Sequence, residues 1–261
     1  MKKDSIAHAM FIFHECSMRE IESIRDEMEK RHGTKLPEID IIYSNNATNA
    51  FTIPPVHFPT GYSQEQKEVN YEKRDCELKK RGLRDNEIKL IDTSKYTIFL
   101  PKKKFENYRI KLSGSKWEEL GHVLAYTLGV RDDMRNESIA LAYRFIGLLQ
   151  GVKQGLFDKE QAIEEIESTI KNIGYEKQMA GLYSKLRTMG LKVPRNLTVA
   201  PHDSALFAIR KFNPSLEFRN RDLDDLLAEL EKSIEYALRK TGMKKRITES
   251  IKTSLRRQHH H

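Results

Sequence analysis

Residues 133–150 constrain the fold of this chain most, because they predict a helix that is apolar on most of its sides. A helix of that kind has no wide polar face to turn toward water, so it lies inside the protein. The segment before it, residues 115–128, predicts a second helix with a single apolar stripe. We therefore expect a buried helix that directly follows an amphipathic one.

Three short runs rich in β-branched and aromatic residues predict strands, at residues 39–43, 49–53 and 96–100. Together with the helices, these strands predict an α+β fold that is predominantly helical. We expect the strands to form a small mixed or antiparallel sheet that packs on the helix of residues 115–128.

Changes in composition divide the chain into two predicted domains. Residues 1–150 form the first, in which residues 59–92, crowded with charged side chains, are a surface insertion. Residues 151–258 form a helical C-terminal domain that ends in a basic segment. The three histidines at 259–261 resemble the start of a purification tag and belong to neither domain. The helices predicted in the C-terminal domain include residues 159–173, 178–189 and 222–240.

Cysteine content and hydropathy predict the compartment. The two cysteines, Cys16 and Cys76, lie far apart and neither belongs to a C-x-x-C pair, which favours a reducing compartment over a disulfide framework. No stretch approaches the roughly 20 apolar residues of a membrane span, and the N-terminal residues do not form a signal peptide. We therefore expect a cytoplasmic protein without a membrane span.

Positive charge is concentrated at the C-terminus. Residues 239–257 hold eight basic side chains against the single acid Glu249, which is +7 of the net charge of +8. A basic segment of this density suits nucleic acid or another polyanion. The alternative is a solvated helix end that keeps the protein in solution.

The run from Glu118 to His122, Glu-Glu-Leu-Gly-His, lies one substitution away from the zinc-protease pattern H-E-x-x-H. That pattern places two histidines on one helical face as metal ligands, with the intervening glutamate as general base. Here Glu118 stands in the position of the first histidine. Glu137, early on the next helix, is a carboxylate that opens an otherwise apolar helix, so we expect it to have a partner.

A wider pattern surrounds this run. Residues 119–124, Glu-Leu-Gly-His-Val-Leu, followed by a helix that bears Glu137, resemble the active-site helix pair of gluzincin metallopeptidases. The run Asn-Ala-Phe at residues 49–51 resembles a strand element of several such families, where it belongs to the sheet over the active-site helix. The order of elements matches as well, and the resemblance covers about residues 39–149.

The resemblance implies a zincin-like fold for residues 1–150, zinc as the cofactor and a peptide or protein as the substrate. It implies that Glu119 is the general base, that His122 and Glu137 are metal ligands, and that Glu118 lies at the first ligand position. His202 matches the downstream residue that steadies the oxyanion, although a loop histidine that caps the following helix is the alternative. Because Glu118 departs from the pattern, we expect an inactive, degenerate site in which zinc is lost or replaced by another divalent ion.

Each of these residues also has an interpretation without a metal. Ser115 and Glu118 have the spacing of a capping box, with Ser115 at the start of the helix. His122 is one helical turn from Glu118 and could simply pair with it. Arg144, two turns after Glu137, could pair with that glutamate instead.

A second hypothesis for the function belongs to another class of protein. The chain would bind nucleic acid, or take part in an assembly, through the basic segment at residues 239–257. In that case the peptidase-like helix would serve only as scaffold. Metal content and salt-dependent binding of nucleic acid distinguish the two hypotheses.

The hypothesis of nucleic-acid binding predicts the effect of removing the chain from Thr241 onward. Affinity for duplex DNA should fall steeply from low to physiological salt, because basic side chains release counterions from the phosphates. The truncated chain should lose binding and keep its fold, since helix 222–240 ends at its own cap. Fluorescence anisotropy titrations at two salt concentrations measure the binding, and circular dichroism checks the fold. Equal binding by the full and truncated chains would contradict the prediction.

Overall fold

A computed structural model gives the fold of the chain over most of its length. The chain divides into two compact units, one formed by residues 1–36 with 241–261 and one by residues 37–240. The structure describes residues 18–47, 49–56, 58, 61–102, 109–189 and 205–239.

The described residues are mostly helical, with one small sheet, as the sequence predicted. Residues 18–32 are helical and are called α1. The other elements are β1 (Ile39–Ser44), β2 (Phe51–Ile53), α2 (Gln64–Lys80), α3 (Asp85–Ile88), β3 (Tyr96–Pro101), α4 (Arg109–Thr127), α5 (Asp133–Lys153), α6 (Lys159–Thr188), α7 (Phe207–Phe212) and α8 (Leu223–Arg239).

The sheet is mixed and has the strand order β1-β3-β2. Strand β3 is central and almost entirely buried; it pairs in parallel with β1 and antiparallel with β2. Side chains of a strand alternate between its two faces. In β2, Phe51 and Ile53 therefore enter one hydrophobic cluster, while Thr52 points to the other face and reaches α4.

The segment predicted as an insertion forms α2 and α3, which cover the cluster on the sheet. Leu78, Leu83 and Ile88 are buried there with Phe51 and Phe99, whose rings stack 5.1 Å apart. The charged side chains of this segment are mostly exposed. The segment therefore supplies one apolar layer over the sheet, although its composition is strongly polar.

Helix α5 is the centre of the main core and is buried along most of its length, as predicted. It packs against α4, α6, α7 and α8, so the unit of residues 37–240 runs across the predicted boundary at residues 150 and 151. Helix α8 is amphipathic, and its leucines face this core. None of the helices in the described ranges has the combination of length and apolar character that a membrane span requires.

Glycines let α4 and α5 approach each other closely. A Cβ on Gly121 of α4 would lie 2.9 Å from the Cα of Ala140, and a Cβ on Gly147 of α5 would lie 2.2 Å from Cδ1 of Trp117. Carbon atoms in contact are normally about 3.5–4.0 Å apart. A side chain at Gly121 would therefore push against the backbone of α5, and a side chain at Gly147 would force Trp117 to shift.

Two predictions about helix bounds are wrong. Helix α4 extends back to Arg109, so Ser115 lies in its interior and cannot be the first residue of a capping box. Residues 159–173 and 178–189 do not form two helices, because α6 continues through Gly174 to Thr188. An isolated glycine inside a helix costs only about 1 kcal/mol relative to alanine, and that cost does not end a long helix.

Residues 18–36 belong to the other unit. Helix α1 ends before Gly33, whose φ of +59° suits a residue without a side chain. Arg25 then ties the helix to the chain beyond it, by hydrogen bonds to Glu29 (2.9 Å) and to the carbonyl of Leu36 (2.7 Å). The sequence also predicts one long helix over residues 4–31, of which residues 4–17 lie outside the described part of the chain.

The contact of Gly147 with Trp117 predicts a loss of stability in Gly147→Ala. The added methyl group would overlap the indole ring, so the free energy of unfolding should fall by about 1–3 kcal/mol. Gly174→Ala is the matched control, because no atom lies within 4 Å of its Cβ position. That variant should be as stable as the wild type or slightly more stable. Urea unfolding measures both, and equal stabilities would contradict the role of Gly147.

Candidate functional site

A cavity of about 700 Å³ lies between β2, α4, α5 and α6. Four residues singled out in the sequence line it together: Glu118, Glu119, His122 and Glu137. The first three come from α4 and Glu137 comes from the second turn of α5. Asp132 fixes where α5 begins, because its side chain accepts a hydrogen bond from the backbone N–H of Arg135 (2.9 Å).

Glu119 is a buried carboxyl group at the wall of this cavity, only 4% exposed. The hydroxyl of Thr52 on β2 donates a hydrogen bond to its Oε2 at 2.8 Å. Burial raises the pKa of Glu119 to about 7, and the nearby carboxylates of Glu118 and Glu137 act in the same direction, against His122 and Thr52. A carboxyl group with a pKa near neutrality can accept and return a proton at neutral pH.

His122 lies one turn after Glu118 and is held from α5. Its Nδ1 donates a hydrogen bond to Oδ1 of Asn136, and its Nε2 lies 3.9 Å from Oε2 of Glu137. Burial alone would lower the pKa of His122, but Glu119, Glu137 and Asn136 raise it above the ordinary value. The bond to Asn136 fixes the ring, so that Nε2 faces Glu137.

Glu118 pairs with Arg144 rather than with His122. The Nη1 of Arg144 lies 2.6 Å from Oε2 of Glu118, and its Nη2 lies 2.8 Å from Oε1 of Glu165 on α6. The sequence hypothesis that Arg144 pairs with Glu137 is therefore wrong. Burial works against the charge of Arg144, but Glu118 and Glu165 raise its pKa.

A zinc centre of the predicted kind needs three protein ligands and an open position. His122 and Glu137 present two donor atoms to each other across the cavity. The carboxylate at the position of the third donor, Glu118, is bound by the guanidinium of Arg144. With that pair intact, the site is one donor short of the predicted centre.

Four residues of the site were missed or misplaced by the sequence patterns: Thr52, Asn136, Arg144 and Glu165. Arg144 had a visible signal, because it is a lone cation in the apolar middle of α5 and a buried charge needs a partner. The partners of Thr52, Asn136 and Glu165 are distant in sequence or on another helix, so spacing did not indicate them. The remaining site prediction, His202, lies outside the described residues.

The basic segment at residues 239–257 also lies outside the described residues, apart from Arg239. Its guanidinium pairs with Glu235 at 2.8 Å on the exposed side of α8. Binding of nucleic acid by this segment therefore stays a prediction from its charge.

Comparison of the chain with protein-family models, curated proteins and solved structures gives no match.

The raised pKa of Glu119 predicts a pH-dependent effect of Glu119→Gln. Because the folded pKa of about 7 lies above the ordinary 4.5, the folded chain loses stability as pH rises through this range. Glutamine removes this titration and can still accept the bond from Thr52. Relative to the wild type, the variant should therefore gain about 1–3 kcal/mol in the free energy of unfolding from pH 5 to pH 8.

Urea unfolding at the two pH values measures this gain. Glu72→Gln, at an exposed position on α2, is the matched control and should show the same difference from the wild type at both pH values. If Glu119→Gln behaves like the control, the carboxyl group of Glu119 is not the titrating group.

Proposed function

We propose that this chain is a metallopeptidase-like protein with a zincin-like fold in residues 1–150 and a degenerate metal centre. It would have lost zinc at that centre and would not hydrolyse peptides. One observation carries the proposal: His122 faces Glu137 from the neighbouring helix, while Glu118, at the first ligand position, is bound to Arg144.

The position of Glu119 supports a peptidase-like origin. In sites of this kind, zinc activates a water molecule and polarises the substrate carbonyl. The residue between the two ligand positions would take the proton from that water. Glu119 occupies this place beside His122, it is held by Thr52 of the strand above it, and its pKa of about 7 suits proton transfer.

The surroundings of His122 support the same origin. A histidine ligand commonly donates its second ring N–H to an oxygen acceptor, which orients the ring toward the metal. Asn136 accepts such a bond from Nδ1 of His122, so Nε2 is the nitrogen that faces the cavity and Glu137. Glu119, His122 and Glu137 also follow one another along the chain in the order expected for gluzincins.

The pair of Glu118 and Arg144 supports the loss of activity. Removing the carboxylate of Glu118 from the largely buried guanidinium of Arg144 is unfavourable, because both charges would lose a short ion pair and Arg144 would keep only Glu165. The side chains are 24% and 14% exposed, so water replaces the lost contact poorly. Glu118 would therefore remain on Arg144 rather than turn to a metal ion.

The proposal predicts that Glu118→His restores zinc binding. The imidazole would complete a set of two histidines and one glutamate, which is the preferred set for zinc in this arrangement. The affinity for zinc should rise at least about tenfold over the wild type. Isothermal titration calorimetry and elemental analysis of the purified chain measure affinity and stoichiometry, and a peptide hydrolysis assay follows any activity.

Glu118→Gln is the matched control, because it also breaks the pair with Arg144 but adds no strong ligand. Adding His122→Ala to Glu118→His should abolish the gain. A double variant, Glu118→His with Arg144→Met, tests the same gain without the guanidinium. If both this variant and Glu118→His bind zinc no more tightly than Glu118→Gln, the metallopeptidase-like origin is contradicted. Stoichiometric zinc in the wild type would contradict the loss of the metal centre.

A further inference from the structure

Arg144 connects three helices through one guanidinium group. It extends from α5 to Glu118 of α4 and Glu165 of α6, at 2.6 and 2.8 Å. The same Glu165 lies 3.9 Å from the ammonium group of Lys111 at the start of α4. The Glu165 side chain is only 9% exposed, so these two cations are its partners in place of water.

We infer that Arg144 takes the place of a divalent ion in this cavity. Its positive charge gathers carboxylates of the cavity, and its bond to Glu118 keeps a metal ion from using that carboxylate. The inference rests on the proposed function, because it explains what holds the side chains of the cavity in place when no metal is bound.

The charges around the cavity support this exchange. Glu118, Glu119, Glu137 and Glu165 all line it, against Arg81, Lys111 and Arg144. Arg81 is at the exposed rim, where its guanidinium lies 4.9 Å from the centre of the Phe51 ring. Without Arg144, Lys111 would be the principal cation near Glu165, and the carboxylate of Glu118 would have no arginine to bind.

The groups released by removing Arg144 have the chemistry of metal ligands. Glu118 lies one helical turn before His122 on the same face of α4, and His122 faces Glu137. Two carboxylates and one imidazole suit divalent ions such as Mn²⁺ and Zn²⁺. A fixed cation nearby repels such an ion strongly in a poorly solvated site. Arg144 therefore acts against metal binding both by its charge and by holding Glu118.

Arg144→Met tests the inference, because it removes the charge and keeps a long apolar side chain. In the presence of EDTA, the unfolding temperature of this variant should fall by roughly 5–10 °C, since Glu118 and Glu165 lose their partner. Added Mn²⁺ or Zn²⁺ should restore part of that loss, because an ion that binds only the folded chain stabilises it. Equilibrium dialysis should show affinity for the ion at least about tenfold above that of the wild type.

Arg221→Met is the matched control. Arg221 also holds a partly buried glutamate, Glu229, but neither residue lines this cavity. This variant should lose stability without gaining any response to the ions. The response of Arg144→Met should also disappear when His122→Ala is added, which assigns the ion to this cavity.

If Arg144→Met does not fold, the double variant Arg144→Met with Glu165→Gln takes its place in the experiment. It keeps Glu118, His122 and Glu137 and removes the charge of Glu165, which has lost Arg144. The inference is overturned if the folded variant responds to the ions no more than Arg221→Met does, or if its response survives His122→Ala. That result is separate from failure of the proposed function, which depends on zinc binding by the variants that carry histidine at position 118.

Discussion

The close contact of α4 with α5 is the constraint on which the rest of this structure depends. Gly121 lies against the backbone of Ala140, and Trp117 fills the space left by Gly147. At this distance, the polar side of α4 meets the first two turns and the middle of α5. His122 therefore reaches Asn136 and Glu137, and Glu118 reaches Arg144. Gly121, which lies within the run from Glu118 to His122, thus helps to determine which side chains of α4 and α5 are in contact.

The buried polar side chains of the cavity are stable because each has a partner from another element. Thr52 of β2 binds Glu119, and Arg144 of α5 binds Glu118 and Glu165. Such pairs contribute little net stability compared with apolar packing, but breaking one leaves a charge without compensation. Their main effect is to fix how β2, α4, α5 and α6 surround the cavity.

The sequence predicted the elements that have a strong periodicity and missed the contacts that depend on packing. Helix α5, helix α8 and the three strands follow from their apolar patterns, and helical spacing places Glu118 and His122 on one face of α4. The position of Glu137 beside the same cavity was implied by the resemblance to gluzincins and not by spacing. The start of α4 was missed because Ser115 mimics a capping residue, whereas the helix extends back to Arg109. The partner of Arg144 was misassigned because sequence distance favours Glu137 on its own helix, while the contact of α4 with α5 brings Glu118 closer.

A site of this kind can persist without a metal only if its ligands have other partners. A carboxylate left alone in a buried position would take up a proton or turn to solvent. Glu119 has the hydroxyl of Thr52 and a pKa of about 7, so it can stay buried in its neutral form. His122 has Asn136, and Glu118 has Arg144. Under the proposed function, replacing the first ligand by glutamate would therefore abolish the metal centre without exposing the groups around it, provided that an arginine lies opposite.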